Sequence, residues 1–208
     1  ICITEKREWE LYGKSPVFIF DPNDKSNRPV QGVHPNPIKL WPRYPNFLQE
    51  AFIKSFCEGL KNPNQRLPEN EWQKLLIRFR GTLLRCPHCS SEVCLAMIPR
   101  DSSIKFDCGS SYSYPFTLET DKYKLPIFPG AKLYKCQVTK DNDDFSTICG
   151  EVIMNKKNPA LWGIKNNSGK DWKFKTPDGE IKEIDAGSVI PVVNGIEVTF
   201  DGITAKVS

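Results

Sequence analysis

Arginine is missing from the second half of this chain: none follows Arg100. Both histidines, His34 and His88, also precede that point. Residues 101–208 therefore offer neither a planar guanidinium fork to grip phosphate nor an imidazole that titrates near neutrality. So few candidate bases remain that no base–nucleophile pairing is legible, which argues against an enzyme. No apolar run approaches the ~20 residues of a membrane-spanning helix. The chain starts Ile1-Cys2-Ile3, without a methionine, and turns charged almost at once in "EKREWE". That is no secretory leader, and it is what a piece of a longer protein is expected to look like.

What is present is ordinary for a soluble globular chain. The 208 residues suit one large domain or two to three small ones, with 39% apolar and 26% charged residues. The net charge of +4 comes from the first half: residues 1–100 hold 15 Lys/Arg against 10 Asp/Glu, and residues 101–208 hold 14 against 15. Nucleic-acid binding needs a focused basic face, so this diffuse surplus disfavours it. Eight cysteines are present, two of them in a proline-containing Cys-x-x-Cys turn. That spacing favours metal ligation by reduced thiols over a disulfide framework, and with it a cytoplasmic location.

The first third reads as helices on a proline-rich platform. Val17-Phe18-Ile19-Phe20 is a strand or a buried extended segment, and Asp21-Pro22-Asn23-Asp24 a turn. Phe47, Leu48, Ala51, Phe52, Phe56 and Leu60 recur at helical spacing, which predicts a helix over 46–60 with Asn46 as its cap. Trp72, Leu75, Leu76, Phe79 and Leu83 form the stripe of a second helix over 68–84, with Pro68 in its first turn.

The stretch "RCPHCSSEVC", residues 85–94, then supplies half of a zinc site. A zinc ribbon sets two Cys-x-x-Cys knuckles on facing hairpins, about 15–20 residues apart. Cys86 and Cys89 make the first. Cys108-Gly109 fits the end of the second, whose other ligand falls on Lys105, and a lysine cannot replace a thiolate at neutral pH. A structural zinc takes four ligands. Three outcomes stay open: Cys94 swings in to complete a site with Cys86, Cys89 and Cys108; three cysteines act with another ligand; or the ribbon is degenerate and holds no metal. His88 lies inside the turn and Asp107 is a harder donor, so both are weaker candidates.

From about residue 123 the chain alternates apolar and polar residues in about eight short strands, starting with "KLYKCQVT". Pro177-Asp178-Gly179 and Asn194-Gly195 are tight-turn signals between them. This predicts a β-sandwich or barrel in which Cys136 and Cys149 are buried free thiols. The fold class is therefore α+β and multidomain: helices over 1–84, a zinc-ribbon-like β module over 85–120, and a small all-β domain over 121–208.

Two resemblances add to this. "FCEGLKNPNQRLPENEW" resembles the end of the C-lobe of eukaryotic-type Ser/Thr protein kinases, with Arg66 at the place of that family's C-lobe arginine. "FIFDPNDKSNRPVQGVHPN" resembles the bacterial kinases of the tellurite-resistance-associated (TerY-P) triad. Those kinases continue into a zinc ribbon and a small β domain. The triad also contains a von Willebrand factor A protein and a metal-dependent Ser/Thr phosphatase. The resemblance implies the C-terminal part of such a kinase, acting in a stress response. No Gly-rich loop, His-Arg-Asp or Asp-Phe-Gly is present, so the implied role is non-catalytic docking or regulation, with the von Willebrand factor A protein as partner. Asp141, Asp143, Asp144, Asp171 and Asp178 are candidate carboxylates for a metal bridge to it. The alternative is a zinc-ribbon nucleic-acid-binding module. The β domain further resembles a forkhead-associated fold, but without arginine or histidine it lacks the set that reads phosphothreonine.

Overall fold

The computed structural model describes residues 4–95 and 103–208. It is a mixture of helices and antiparallel sheet, divided into two compact units at Phe79/Arg80.

The first unit is helical. Short helices span Glu5–Glu8 and Pro35–Leu40, and a continuous helical run covers Asn46–Ile53, a wider turn Lys54–Glu58, and Gly59–Lys61. The cap is Pro45, in extended conformation, and Asn46 is the first helical residue. Val17 to Phe20 form no strand; the chain extends and then turns there. Their aromatic rings fill the platform instead. Phe20 stacks on Trp41 at 4.3 Å, and Trp41 meets Phe18, Tyr44 and Phe52 edge-on. Arg66 donates its Nε to the Gly59 carbonyl at 2.8 Å, so a backbone oxygen, and not a carboxylate, holds it.

The last helix runs Glu69–Gly81, three residues short of the expected end. Leu83 and Leu84 belong to a strand, because Leu83 pairs with Cys94 across a hairpin. Gly81 lies against the Tyr123 hydroxyl, where a Cβ would sit only 2.1 Å away. The ring leaves no room for a side chain at the point where helix gives way to sheet.

The second unit contains fourteen strands among the described residues. Strands β1 (Leu83–Arg85) and β2 (Glu92–Cys94) form one hairpin, and β3 (Ser103–Lys105) and β4 (Ser111–Ser113) another. A six-stranded sheet has the order β11-β10-β13-β14-β5-β6, from Ile181–Ile184, Trp172–Lys175, Glu197–Thr199, Thr204–Val207, Phe116–Glu119 and Lys124–Ile127. A four-stranded sheet has the order β12-β9-β8-β7, from Val189–Pro191, Trp162–Asn166, Ile148–Met154 and Lys132–Tyr134. The two sheets share one core. Trp172 of the first reaches within 3.2 Å of a Cβ built on Gly150 of the second, and meets Phe200 edge-on at 4.7 Å.

Three details depart from the strand pattern of the sequence. Phe116–Glu119, assigned above to the ribbon module, pairs with the C-terminal strand; Thr117 and Ser208 exchange both backbone hydrogen bonds. "KLYKCQVT" is a strand only to Tyr134 and then a helical turn, Lys135–Val138. The buried Gln137 causes this, accepting from the Tyr134 N–H and donating to the Gly81 carbonyl. Lys124–Ile127 is a strand despite Pro126, which is tolerated because β6 lies at the sheet edge.

Candidate metal centre

The first hairpin ends in a tight knuckle. Beyond the last strand pair, Arg85 with Glu92, Cys86 N–H bonds the Ser91 carbonyl at 2.8 Å. Ser90 N–H returns to the Cys86 carbonyl at 3.0 Å, which forces Ser90 into the left-handed region at φ 61°. The backbone N–H groups of His88 and Cys89 are thereby turned toward Cys86 Sγ.

The second hairpin repeats this with one residue fewer. Beyond its last pair, Lys105 with Ser111, Phe106 N–H bonds the Ser110 carbonyl at 3.0 Å, and Gly109 N–H closes on the Phe106 carbonyl. Gly109 takes the left-handed conformation (φ 85°), as Ser90 does in the first knuckle, and here the residue suits it. Cys89 and Cys108 correspond in their contacts too. Each Sγ donates to the serine hydroxyl two residues on, Ser91 at 3.1 Å and Ser110 at 3.2 Å.

These two turns bring Cys86, Cys89 and Cys108 together, with all three sulfurs within 4.8 Å of one another. Cys86 Sγ lies 3.7 Å from Cys108 Sγ. A tetrahedral metal with metal–sulfur bonds of about 2.3 Å sets its sulfurs about 3.8 Å apart, so the spacing fits a shared ion. It is far from the ~2.05 Å of a disulfide. Three close thiols of this kind can hold a metal ion, and no other group of three ligating side chains occurs among the described residues. Cys86 is buried, while Cys89 and Cys108 are exposed.

The site already favours one thiolate. The Ser110 hydroxyl and backbone N–H, followed by the Cys89 thiol, pull Cys108 down to about 6. Burial pushes Cys86 up, against the pull of the Cys89 and His88 backbone N–H groups. The two thiols are thus pulled in opposite directions, Cys108 downward and Cys86 upward. Burial also raises the Tyr112 phenol, whose ring packs on Phe106 and Phe128 beside Cys86.

Of the sequence candidates, Cys94 is the one the fold separates from the others. It faces Leu83 at the open end of the first hairpin, roughly 10 Å from the knuckle at 3.3 Å per residue. Its Sγ lies 3.4 Å from Thr82 Oγ1. His88 and Asp107 are exposed and stand outside the sulfur group. Lys105 is exposed on the strand face opposite the buried Ile104 and Phe106, so the second knuckle's counterpart to Cys86 is Phe106. Sequence reasoning missed this because it counted three residues back from Cys108, as in a full-length knuckle. The shorter turn shifts the inward position by one. Cys2 lies outside the described residues.

The remaining candidates carry other work. Asp144 accepts from the N–H and hydroxyl of both Ser146 and Thr147, which holds its carboxyl far below the usual range. Asp141 pairs with Lys135 at 2.8 Å, and Asp171 accepts from the Ala186 N–H. Asp143 and Asp178 sit exposed in turns. Cys136 and Cys149 are buried free thiols, Cys136 raised to about 11 by desolvation and Cys149 raised for the same reason.

No protein-family model matches the chain, and no significant match is found among curated proteins or solved structures. No described helix is long and apolar enough to cross a membrane.

Proposed function

We propose that the chain is a non-catalytic docking and regulatory region whose two ribbon hairpins are stapled by a zinc ion at Cys86, Cys89 and Cys108. The observation that carries the reading is the 3.7 Å approach of sulfurs from two separate hairpins. Thiolates select a soft or borderline metal, and zinc adds folding energy without redox chemistry.

The resemblance to the tellurite-triad kinases gives this region its context: the end of a kinase C-lobe, the ribbon and a forkhead-associated-like sandwich, acting in the cytoplasm. Its partner in this reading is the von Willebrand factor A protein, with the metal-dependent phosphatase as the third member. Several large apolar side chains of the helical unit stay exposed, among them Val30, Val33, Leu40 and Leu76. A helical segment that packs on another protein body leaves such groups uncovered when alone. Nucleic acid is the weaker alternative, because Arg80 and Arg85 beside the ribbon are both paired with Glu92, at 2.9 and 3.0 Å.

Two measurements test the reading. Protein purified without added metal is expected to carry close to one zinc per chain; less than about half an equivalent removes the site. Co-purification with the von Willebrand factor A protein is expected to survive high salt. Retention of DNA or RNA near physiological ionic strength, in place of that protein, would transfer the role to the alternative.

A further inference from the structure

Three sulfurs leave a tetrahedral metal one corner short, and no other described Cys, His, Asp or Glu fills it. The place that answers Cys86 in the second knuckle holds Phe106, only 5% exposed and edge-on to Tyr112 at 5.8 Å. Hydrocarbon occupies the slot of a fourth sulfur. Lys105 points to the other face, and Cys94 is fixed at the far end of its hairpin beside Thr82.

The three donors also decide what suits the fourth corner. One of them, Cys86, is rooted in the core, while Cys89 and Cys108 are exposed, so a metal held by all three lies at the surface and within reach of solutes. A sulfur-rich set favours a further soft donor over a carboxylate. A structural site closed by its own chain would hold four protein ligands, and this one offers three among the described residues.

We infer that the fourth corner is taken by a thiolate from outside this chain, supplied by a low-molecular-weight thiol or by a cysteine of a bound protein. The inference rests on the metal reading above. The step is a ligand exchange: the incoming thiol releases its proton to solvent, its sulfur lone pair forms the new metal–sulfur bond, and the bond to the solvent molecule that otherwise completes the shell breaks as that molecule leaves. Nothing is oxidised or reduced.

Cobalt(II) reports the corner directly. The full chain, reduced with a phosphine and freed of small thiols, is loaded with cobalt and titrated with glutathione, with a cysteine-containing peptide, and with the same peptide carrying serine. The sulfur-to-cobalt absorption is expected to rise saturably by about one third, one sulfur bond added to three. A rise with glutathione identifies a small-thiol site, a rise with the cysteine peptide alone identifies a protein donor, and the serine peptide changes nothing. The inference is overturned if neither thiol has an effect. It is equally overturned if a four-sulfur spectrum is present beforehand and collapses in Cys2→Ser or Cys94→Ser. A Tyr112→Phe change that moves the ligand-field bands before any thiol is added also overturns it, by making the phenol the ligand. Absence of any sulfur-to-cobalt band would instead remove the metal site itself, so the two failures read apart.

Discussion

The hairpins β1–β2 and β3–β4 make the same turn from different numbers of residues. In the first, the loop inside the Cys86–Ser91 backbone bond holds four residues; in the second, the loop inside the Phe106–Ser110 bond holds three. Both keep a cysteine just before a left-handed residue and a serine two places beyond it. Only the first keeps the inner cysteine. One deleted residue moves the inward position from 105 to 106, because side chains alternate faces along a strand, and the residue standing there is a phenylalanine instead of a cysteine. The difference teaches that a knuckle is defined by its register in the ladder, and spacing along the chain is only a proxy for that register.

The comparison breaks most completely at Cys86, the ligand that belongs to one hairpin alone. Cys86→Ser is expected to cost zinc affinity at least about a hundredfold and to lower the thermal midpoint in zinc but hardly in chelator. Competition with a chromophoric chelator and melting with and without zinc measure both. A midpoint that falls equally in chelator would make Cys86 a packing residue only.

The hairpins can next be made alike. Phe106→Cys is expected to destabilise the metal-free protein by about 3 kcal/mol, the usual cost of truncating a buried Phe. Zinc is expected to restore the loss and to abolish any response to added thiol. Lys105→Cys, on the exposed face, is expected to change neither. Denaturant unfolding with and without zinc decides, and a reversal of the two variants would return the fourth position to residue 105.

The smallest effect concerns the serine both knuckles share. In the metal-free protein, Cys108 is expected to react with iodoacetamide with a midpoint near pH 6, and Ser110→Ala to move that midpoint upward. Because its folded value lies below the ordinary thiol value of 9.0, the Cys108 thiolate stabilises the metal-free fold fully above that value. That contribution is lost as the pH falls through about 6. Cys86, raised by burial, works in the opposite sense, favouring the fold at low pH and losing its effect as the pH rises. An unmoved midpoint in Ser110→Ala would assign the lowered value to the Ser110 backbone N–H and the neighbouring thiols.

The sequence alone determined what is local. Helical spacing located both main helices, and the turn residues marked the hairpins of the second unit, as in Pro177-Asp178-Gly179 between β10 and β11. It also named three cysteines that the structure brings together, since Cys-x-x-Cys and Cys-Gly are turn chemistry that the chain carries in a few adjacent residues. Tertiary structure decided the rest. Cys94 was the expected fourth ligand, but the pairing of Leu83 with Cys94 holds it at the wrong end of the hairpin. Phe106 became the inward residue through a register that no count from Cys108 reveals. Phe116–Glu119 joined the sandwich because its partner strand lies at the other end of the chain, with Thr117 bonded to Ser208. Spacing specifies a turn because a turn is closed by its own residues; a coordination shell and a sheet are closed by residues far apart in sequence, and only the fold brings those together.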